Sequence, residues 1–589
     1  MTETKRRVGV YVCHCGGNIS DVIDVQKVVD GVANIEDVVV ARREMFMCSD
    51  PGQNLIAEDI AAHNLDRVVV AACSPSLHEA TFRGTLKRSG LNPYLYEHVN
   101  IREQASWCHK DDPEGGTRKA TRLVAAGIAK ARNLVPLDPV RVPVTRAVAV
   151  VGGGIAGLRS AIDLAKSSFE VHVIERAADL GGHLARPGRV YPTDEPAQDL
   201  LTGLLAQARS LPGLTLHTET ELVASTGYLG NFRLTLQGPS GEPRELTVGS
   251  IVLATGFEHY QPSLGELGFG MSDRVVTLPD FIERLDPRGP TGGQIVKDGK
   301  PVQRVVFIHC VGSRQLEGVH VPPEGGRLYE HCSRVCCTTA LFASIELARK
   351  FPQVDIFDVY QDIRTYGRGQ EDIYEAAARA GVTFFRVAGD APPTVEIDAS
   401  GAITVRLVDL LTFNEPIEMP VDLVVLVTGM IPRDITPLIE MFKLPRSPDG
   451  FLQEVHPKLR PVEVCVDGLF IAGACQAPMD VAEAAASASA ASAKAACLLG
   501  GDVISLDPFV ASIQAELCDG CGLCLAECVY VKALTRAEGE TVPVVNTALC
   551  KGCGMCAAVC PHEAITVRGW EIKQYDAMVD AIVATGGHP

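Results

Sequence analysis

Two identical cysteine quartets constrain this chain more tightly than any other feature. Cys518, Cys521, Cys524 and Cys528 form a C-x2-C-x2-C-x3-C run; Cys550, Cys553, Cys556 and Cys560 repeat it, and Pro561 follows. Three thiolates at this spacing sit on one tight loop and take three corners of a [4Fe–4S] cubane, while the remote fourth cysteine takes a corner of the other cluster. The expected sets are Cys518, Cys521, Cys524 with Cys560, and Cys550, Cys553, Cys556 with Cys528. A pair of zinc ribbons competes with this reading, but zinc sites rarely use three cysteines so spaced, with proline after the fourth. The quartets therefore point to electron transfer.

The spacing is that of a bacterial two-cluster ferredoxin, an α+β module expected over residues 508–589. It occupies a small part of a chain of 589 residues, long enough for three or four domains of about 150 residues each. With 46% hydrophobic residues and a net charge of −18, the chain reads as an ordinary soluble protein and not as a nucleic-acid binder. Residues 1–7 are polar, so no leader is expected. The small-residue stretch 481–499 contains Glu483, Lys494 and several serines, and reads as a buried helix and not a membrane span. Twenty cysteines without a leader imply a reducing compartment, hence a cytoplasmic location with thiols serving as metal ligands.

The expected fold class is α/β. Residues 1–140 alternate short apolar strands with helices, and strands over 7–12 and 67–72 each run into a cysteine-bearing loop. Three prolines mark 135–143 as a linker. A Rossmann-type domain is expected over 146–500, with an inserted α/β lobe at about 290–430. Beyond the quartets no fine internal repeat is evident.

The second motif binds a dinucleotide. Val148 to Val151 form an apolar strand, and Gly152, Gly154 and Gly157 then fit G-x-G-x-x-G, with Ile155 and Ala156 between them. The glycines permit the tight turn, a close backbone approach to pyrophosphate, and close packing of helix on sheet. The helix N-terminus presents its positive dipole end to the phosphates. Glu175 ends the second strand, where a carboxylate can bond a ribose 2′-hydroxyl, and Arg176 follows it. FAD is favoured over NAD by three further segments: Gly181-Gly182-His183, Ala254-Thr255-Gly256, and Gly473-Ala474 ahead of a small-residue helix. All three are placed as in two-dinucleotide-binding flavoproteins.

Cys310 ends another apolar strand, and Cys332, Cys336 and Cys337 follow as C-x3-C-C. By themselves these are open to a structural role or a redox disulfide. The segments 310–314 (Cys-Val-Gly-Ser-Arg) and 332–337 (Cys-Ser-Arg-Val-Cys-Cys) closely resemble HdrA, the flavin-carrying A-subunit of heterodisulfide reductase. The resemblance runs through nearly the whole chain: Val12-Cys13-His14-Cys15-Gly16-Gly17, Met47-Cys48-Ser49, Ala72-Cys73-Ser74-Pro75, 362–367 and 476–480 also look like family segments. It implies a thioredoxin-reductase-like FAD domain, a central [4Fe–4S] cluster on Cys310, Cys332, Cys336 and Cys337, and an N-terminal α/β iron–sulfur domain. In the latter, Cys13, Cys15, Cys48 and Cys73 are the implied ligands. Scattered buried thiols are the plainer reading of those four. Cys108 competes with Cys13 as a ligand, because the family tends to place a cysteine near Ala105.

The chain departs from the family pattern in three places. Where many members carry a cysteine and an inserted ferredoxin module after the Gly-Gly-His segment, residues 191–196 here contain no cysteine. Where the family often has a lysine close to the flavin, five residues after the cysteine pair, this chain has Phe342, which puts electron bifurcation in question. Val529 replaces a proline after the first quartet. Cys465, Cys475 and Cys497 read as core or near-flavin packing. For His14 and His183, hydrogen bonding to backbone or flavin is favoured over metal ligation.

The resemblance implies an oxidoreductase subunit with FAD and about four [4Fe–4S] clusters. It would relay electrons to HdrB- and HdrC-like subunits from a hydrogenase, formate dehydrogenase or other donor module, with ferredoxin as a further candidate. Assembly into a larger oligomeric complex is expected. No nucleophile–base pair stands out, so no catalytic residue is assigned to the chain itself. Two alternatives stand beside this: the equivalent component of an ATP-independent aromatic-acyl-CoA (benzoyl-CoA) reductase complex, and a self-contained NAD(P)H-dependent flavin reductase.

Overall fold

The computed structural model describes residues 5–191, 193–239, 241–297, 299–322, 326–530 and 533–585. Residues 1–4 of the polar opening and Pro192 of the cysteine-free segment lie outside these. The chain divides into two compact units, one formed by residues 1–142 together with 505–589 and the other by 143–504.

In the first unit a four-stranded sheet runs in the order Val38–Glu44, Val8–Cys13, Arg67–Ala72, Tyr96–Asn100, all parallel. The two central strands are buried at every residue, which is why, apart from Arg67 at the start of the second, they read as apolar runs and not as alternating ones. Their side chains still alternate between faces. Val8, Val10 and Val12 pack with Val28, Val124 and Ile128 on one side, whereas Tyr11 and Cys13 pack with Met47, Ile56 and Phe82 on the other. The helix Pro113–Arg132 starts on a side-chain cap, Asp112 accepting from the Gly115 amide at 2.9 Å, with proline in its first turn.

The C-terminal quartets belong to the same unit. Ala511–Ile513 pairs antiparallel with Ile565–Val567, and Leu534–Thr535 with Val544–Val545; the four-residue helices Leu523–Ala526 and Met555–Ala558 each carry the third cysteine of a quartet. The final helix, Ile572–Thr585, packs along Pro113–Arg132. Arg83 seals the junction: its guanidinium lies 4.9 Å from the Tyr94 ring centre and 5.1 Å from that of Phe509, and it pairs with Asp507 at 3.3 Å.

The second unit contains two lobes with one plan. The first lobe orders its parallel strands Leu214–His217, Glu170–Ile174, Ala147–Val151, Ser250–Leu253, Leu469–Ile471. The second orders them Val382–Arg386, Asp355–Tyr360, Arg304–Val311, Leu423–Thr428, Val275–Thr277. In each, a three-stranded antiparallel sheet intervenes between the third and fourth strands in sequence order of the shared set: 221–248 in the first, 394–421 in the second. The second lobe begins earlier than the insertion expected from about 290, because Val275–Thr277 pairs with Leu423–Thr428. Two chain crossings, Phe257–His259 and Met430–Pro432, pair antiparallel.

Helix Val481–Leu499 opens on a capping box: Asp480 accepts from the Glu483 amide at 2.7 Å and Glu483 accepts from the Asp480 amide at 3.1 Å. Only one of its faces is buried, through Ala484, Ala488, Ala491, Ala495 and Leu499. The helix expected to be buried is thus buried along one face, where Ser492 also lies and donates to the Ser160 and Ala488 carbonyls, while Lys494 is exposed on the other. Among the described residues no helix is long and apolar enough to cross a membrane.

Candidate flavin and cluster sites

A cavity of about 790 Å³ opens where the first lobe's parallel strands end. Gly152, Gly154, Ile155, Ala156, Glu175, Arg176, Gly182, His183, Ala254, Thr255, Gly256 and Ala474 all line it. Strands of a doubly wound sheet hold their ligands beyond their carboxyl ends, and these loops meet there for that reason.

The glycines divide the work. A methyl on Gly157 would stand 1.8 Å from the Gly152 carbonyl oxygen, so Gly157 lets the helix Ile155–Lys166 seat against the strand turn and does not itself line the cavity. Gly473, at φ +71°, likewise lies behind the wall, where a methyl would meet Ala156 at 2.6 Å. Gly154 faces open space: a methyl placed there would find no protein atom within 4 Å. That is the position where a pyrophosphate approaches the backbone. Glu175 accepts from the Gly153 amide at 2.7 Å and the Ala177 amide at 2.9 Å, which fixes its carboxylate while leaving lone pairs for a ribose hydroxyl.

The donor set in the wall suits a polar ligand. Thr255 Oγ1, His259 Nδ1, Thr428 Oγ1 and Arg433 Nε are buried without a hydrogen-bond partner among the described residues, and all four residues line the cavity. Buried polar atoms are rarely left so, and four around one cavity point to a ligand that satisfies them. His183 bonds the Phe257 carbonyl through Nε2 at 3.1 Å and stacks on the Phe257 ring, 4.4 Å away. Burial lowers the pKa of His183, and burial with the charges of His183 and Arg186 lowers that of His259 to about 3, so both rings are neutral near pH 7.

The central cysteines reach the same cavity. Helix Cys336–Lys350 begins at the cysteine pair, and Val335, Cys336 and Thr339 line the cavity wall. Cys310 sits near the end of strand Arg304–Val311 in the left-handed region, φ +63°, which turns it out of the strand. The Cys336 thiol interacts with those of Cys337, Cys310 and Cys332; the hydrogen bond with Cys337 and burial hold it protonated. Cys337 is held as thiolate by that same bond and by His309. Burial opposes a charge on His309, yet the Asp358 carboxylate, 3.0 Å from its Nε2, raises its pKa well above the ordinary imidazole value. The dyad is fully buried behind the cysteines, and no sequence motif announced it.

The N-terminal cysteines also converge. Burial raises Cys13 to about 11 and Cys73 to about 12, and both feel Cys15; Cys13 also feels Cys48. The amides of Cys15 and Met47 donate to Cys13 Sγ at 3.3 and 3.4 Å, and Arg102 donates to Cys15 Sγ at 3.5 Å. Cys108 is exposed, and its sulfur contacts the Gln104 carbonyl and His109. In the ferredoxin segment burial raises Cys524, which neighbours Cys518, Cys521 and Cys560; burial raises Cys556 to about 11, beside Cys550 and Cys553. Cys528 hydrogen-bonds the Tyr530 carbonyl.

Among the described residues no three His, Cys, Asp or Glu groups close on a single metal ion. A cubane takes one thiolate at each of four corners, a wider arrangement than a mononuclear site. Two expectations are corrected. Cys475 is buried, its thiol donating to the Leu253 and Ala472 carbonyls, but Cys465 and Cys497 are exposed and pack no core. Among the described residues the His14 ring bonds a side chain and not the backbone: its Nε2 lies 3.1 Å from Arg43 Nη1.

Known proteins share these features. The NAD(P)-binding Rossmann-like domain matches residues 150–196, and the 4Fe-4S binding domain matches 543–566. The second iron-sulfur A-subunit of CoB–CoM heterodisulfide reductase from Methanopyrus kandleri is 36% identical, over 90% of this chain and 91% of its own. The corresponding A-subunit of Methanocaldococcus jannaschii is 35% identical over 98% of both chains. That of the H(2)/formate:CoB-CoM heterodisulfide,ferredoxin reductase of Methanococcus maripaludis is 34% identical, again over 98% of both. The structure of Lactococcus lactis thioredoxin reductase covers 60% of this chain and 99% of its own at 14% identity, with a TM-score of 0.41. Full-length identity at this level, with a Rossmann-like dinucleotide domain and a 4Fe–4S domain in place, shows that the chain belongs to the HdrA family of heterodisulfide reductase iron–sulfur subunits.

Proposed function

We propose that this chain binds one FAD in the 790 Å³ cavity and four [4Fe–4S] clusters on its cysteine sets, and passes electrons between them and partner subunits. The clusters would rest on Cys13, Cys15, Cys48 and Cys73; on Cys310, Cys332, Cys336 and Cys337; and on the two crossed C-terminal sets. The flavin supplies the exchange between two-electron and one-electron chemistry. The protein's share is positional. Gly154 and the helix Ile155–Lys166 hold phosphate, Glu175 holds ribose, and neutral His183 and His259 close the cavity with Phe257. One observation carries the proposal: Cys336, from the central set, stands in the wall of the cavity that the dinucleotide loop builds.

The relatives' names point to complexes acting on the CoB–CoM heterodisulfide with hydrogen or formate as donor. For this chain we place the donor module and the HdrB- and HdrC-like subunits as partners. Anaerobic purification of the reconstituted chain tests the assignment. One flavin and about sixteen iron atoms per chain are expected, with reducible cluster signals by electron paramagnetic resonance (EPR). About eight iron atoms would remove the central and N-terminal sets. Stoichiometric bleaching of the flavin by NADH would instead make the chain a self-contained reductase.

A further inference from the structure

Three sequence segments, 332–337, 362–367 and 476–480, meet at one side chain. Arg334 lies between Cys332 and Cys336, in the left-handed region at φ +62°, and its amide donates to Cys332 Sγ at 3.3 Å. Its guanidinium donates through Nη1 to the Pro478 carbonyl at 3.1 Å and pairs through Nη2 with Glu483 Oε1 at 2.7 Å. The same group lies 5.2 Å from the ring centre of Tyr366.

Each partner belongs to a wall of a site. Glu483 is the third residue of helix Val481–Leu499, and its other oxygen closes the capping box with Asp480. Asp480, Val481 and Ala484 line the flavin cavity from that helix, while Val335 and Cys336 line it from the cluster loop. Tyr366 belongs to the stretch whose Arg364 amide hydrogen-bonds the Cys337 sulfur. A long side chain in the left-handed region is strained, and the strain persists only where surrounding contacts over-determine it. Here they do, with an ion pair, a carbonyl bond and a ring.

We propose that Arg334 is the positioning residue that couples the central cluster to the flavin, by fixing the cysteine loop against the first turn of helix Val481–Leu499. The proposal rests on the cofactor reading above. With both groups bound, one electron would pass from reduced flavin to oxidised cluster, so the flavin would lose what the cluster gains. A planar guanidinium fork holds such a geometry better than a point charge, because its two donors are fixed relative to one another.

The test uses the full-length anaerobic holoprotein. The flavin is reduced by a photoexcited deazaflavin with an amine as terminal electron donor, and the growth of the cluster's EPR signal is followed by rapid freezing. Arg334→Met removes the fork. Glu483→Gln removes the charge but keeps an oxygen for the capping box. Each is expected to slow cluster reduction about tenfold at unchanged flavin and iron content, since sub-ångström misplacement is enough to cost this much. The double variant should be no slower than Arg334→Met alone, because Arg334→Met already removes the ion pair that Glu483→Gln weakens. A wild-type rate in a fully loaded Arg334→Met or Glu483→Gln protein overturns the proposal, as does a multiplied loss in the double variant. Should Arg334→Met fail to load its iron, Glu483→Gln alone decides. A wild-type chain lacking flavin or central iron overturns the cofactor reading first, and shows this before any variant is made.

Discussion

Tyr191 and Phe342 stack face to face, with ring centres 4.6 Å apart and planes 18° apart. The Tyr191 hydroxyl donates to Glu346 at 3.0 Å, one turn along the helix that carries Phe342. Tyr191 also lines the flavin cavity, whereas Phe342 faces a separate cavity of about 240 Å³. Two positions singled out in the sequence are therefore one contact: the cysteine-free segment 191–196 supplies one ring, and Phe342 supplies the other. A stacked pair is worth about 0.5–1.5 kcal/mol beyond its buried area. A double-mutant cycle with Tyr191→Leu and Phe342→Leu, read by denaturant unfolding, should return a coupling energy in that range. Additive losses would mean that the two departures are independent.

Gly154 and Gly157 belong to one motif but should fail in different ways. Gly157→Ala drives a methyl into the Gly152 carbonyl, 1.8 Å away, where no backbone can yield without unseating the helix. It is expected to lower the stability of the flavin-free protein by more than about 1 kcal/mol. Gly154→Ala meets no protein atom. Its flavin-free form should melt with the wild type, while flavin affinity falls at least about tenfold because the methyl occupies the phosphate's approach. Thermal unfolding of the flavin-free proteins and flavin titration separate the two.

What the sequence made legible was local. Strand Arg67–Ala72 is an apolar run after its opening arginine, and Cys336-Cys337 opens a helix that its alanines and leucines sustain. The dinucleotide loop was readable because its strand, its glycines and its helix follow one another within a few residues. Long-range arrangement was not readable. Val275–Thr277 is three residues long, too short for periodicity to register, and its place in the sheet is set by pairing with Leu423–Thr428, about 150 residues on. The common strand order of the two lobes leaves no repeated motif, because pairing in parallel sheets needs apolar character and not particular residues. The docking of 505–589 on 1–142 depends on Arg83 meeting Tyr94 and Phe509, residues far apart in sequence and unremarkable alone. The dyad His309–Asp358 was hidden for the same reason.

His259 gives the second unit a pH dependence of predictable sign. Burial and the neighbouring charges lower its pKa from 6.5 to about 3. The unfolded chain therefore takes up a proton near pH 6.5 that the folded chain refuses until about pH 3. Stability contributed at neutral pH is lost as the pH falls below 6.5, and nothing changes above 7. By pH 5.5 the loss from this group is about 1 kcal/mol. Unfolding of the flavin-free protein between pH 7.5 and 5.5 should show the decline, and His259→Gln should reduce the slope by that amount. An unchanged slope in the variant would place the ring in contact with solvent.

The N-terminal cysteines separate by what surrounds their sulfurs. Cys13 and Cys73 are buried and feel Cys15, and Cys13 accepts two backbone amides in the manner of a sulfur whose charge is to be stabilised. Cys108 is exposed, and its sulfur is engaged by the Gln104 carbonyl, His109 and Lys119, all on its own side of the chain. Cys108→Ala is therefore expected to keep the full iron content and the full set of EPR signals. Cys13→Ala and Cys73→Ala should each lose about four iron atoms while leaving the flavin bound, since a [4Fe–4S] site deprived of one thiolate is lost as a unit. Iron and flavin analysis of the three variants decides between Cys13 and Cys108. Iron lost from Cys108→Ala and retained in Cys13→Ala would exchange their roles.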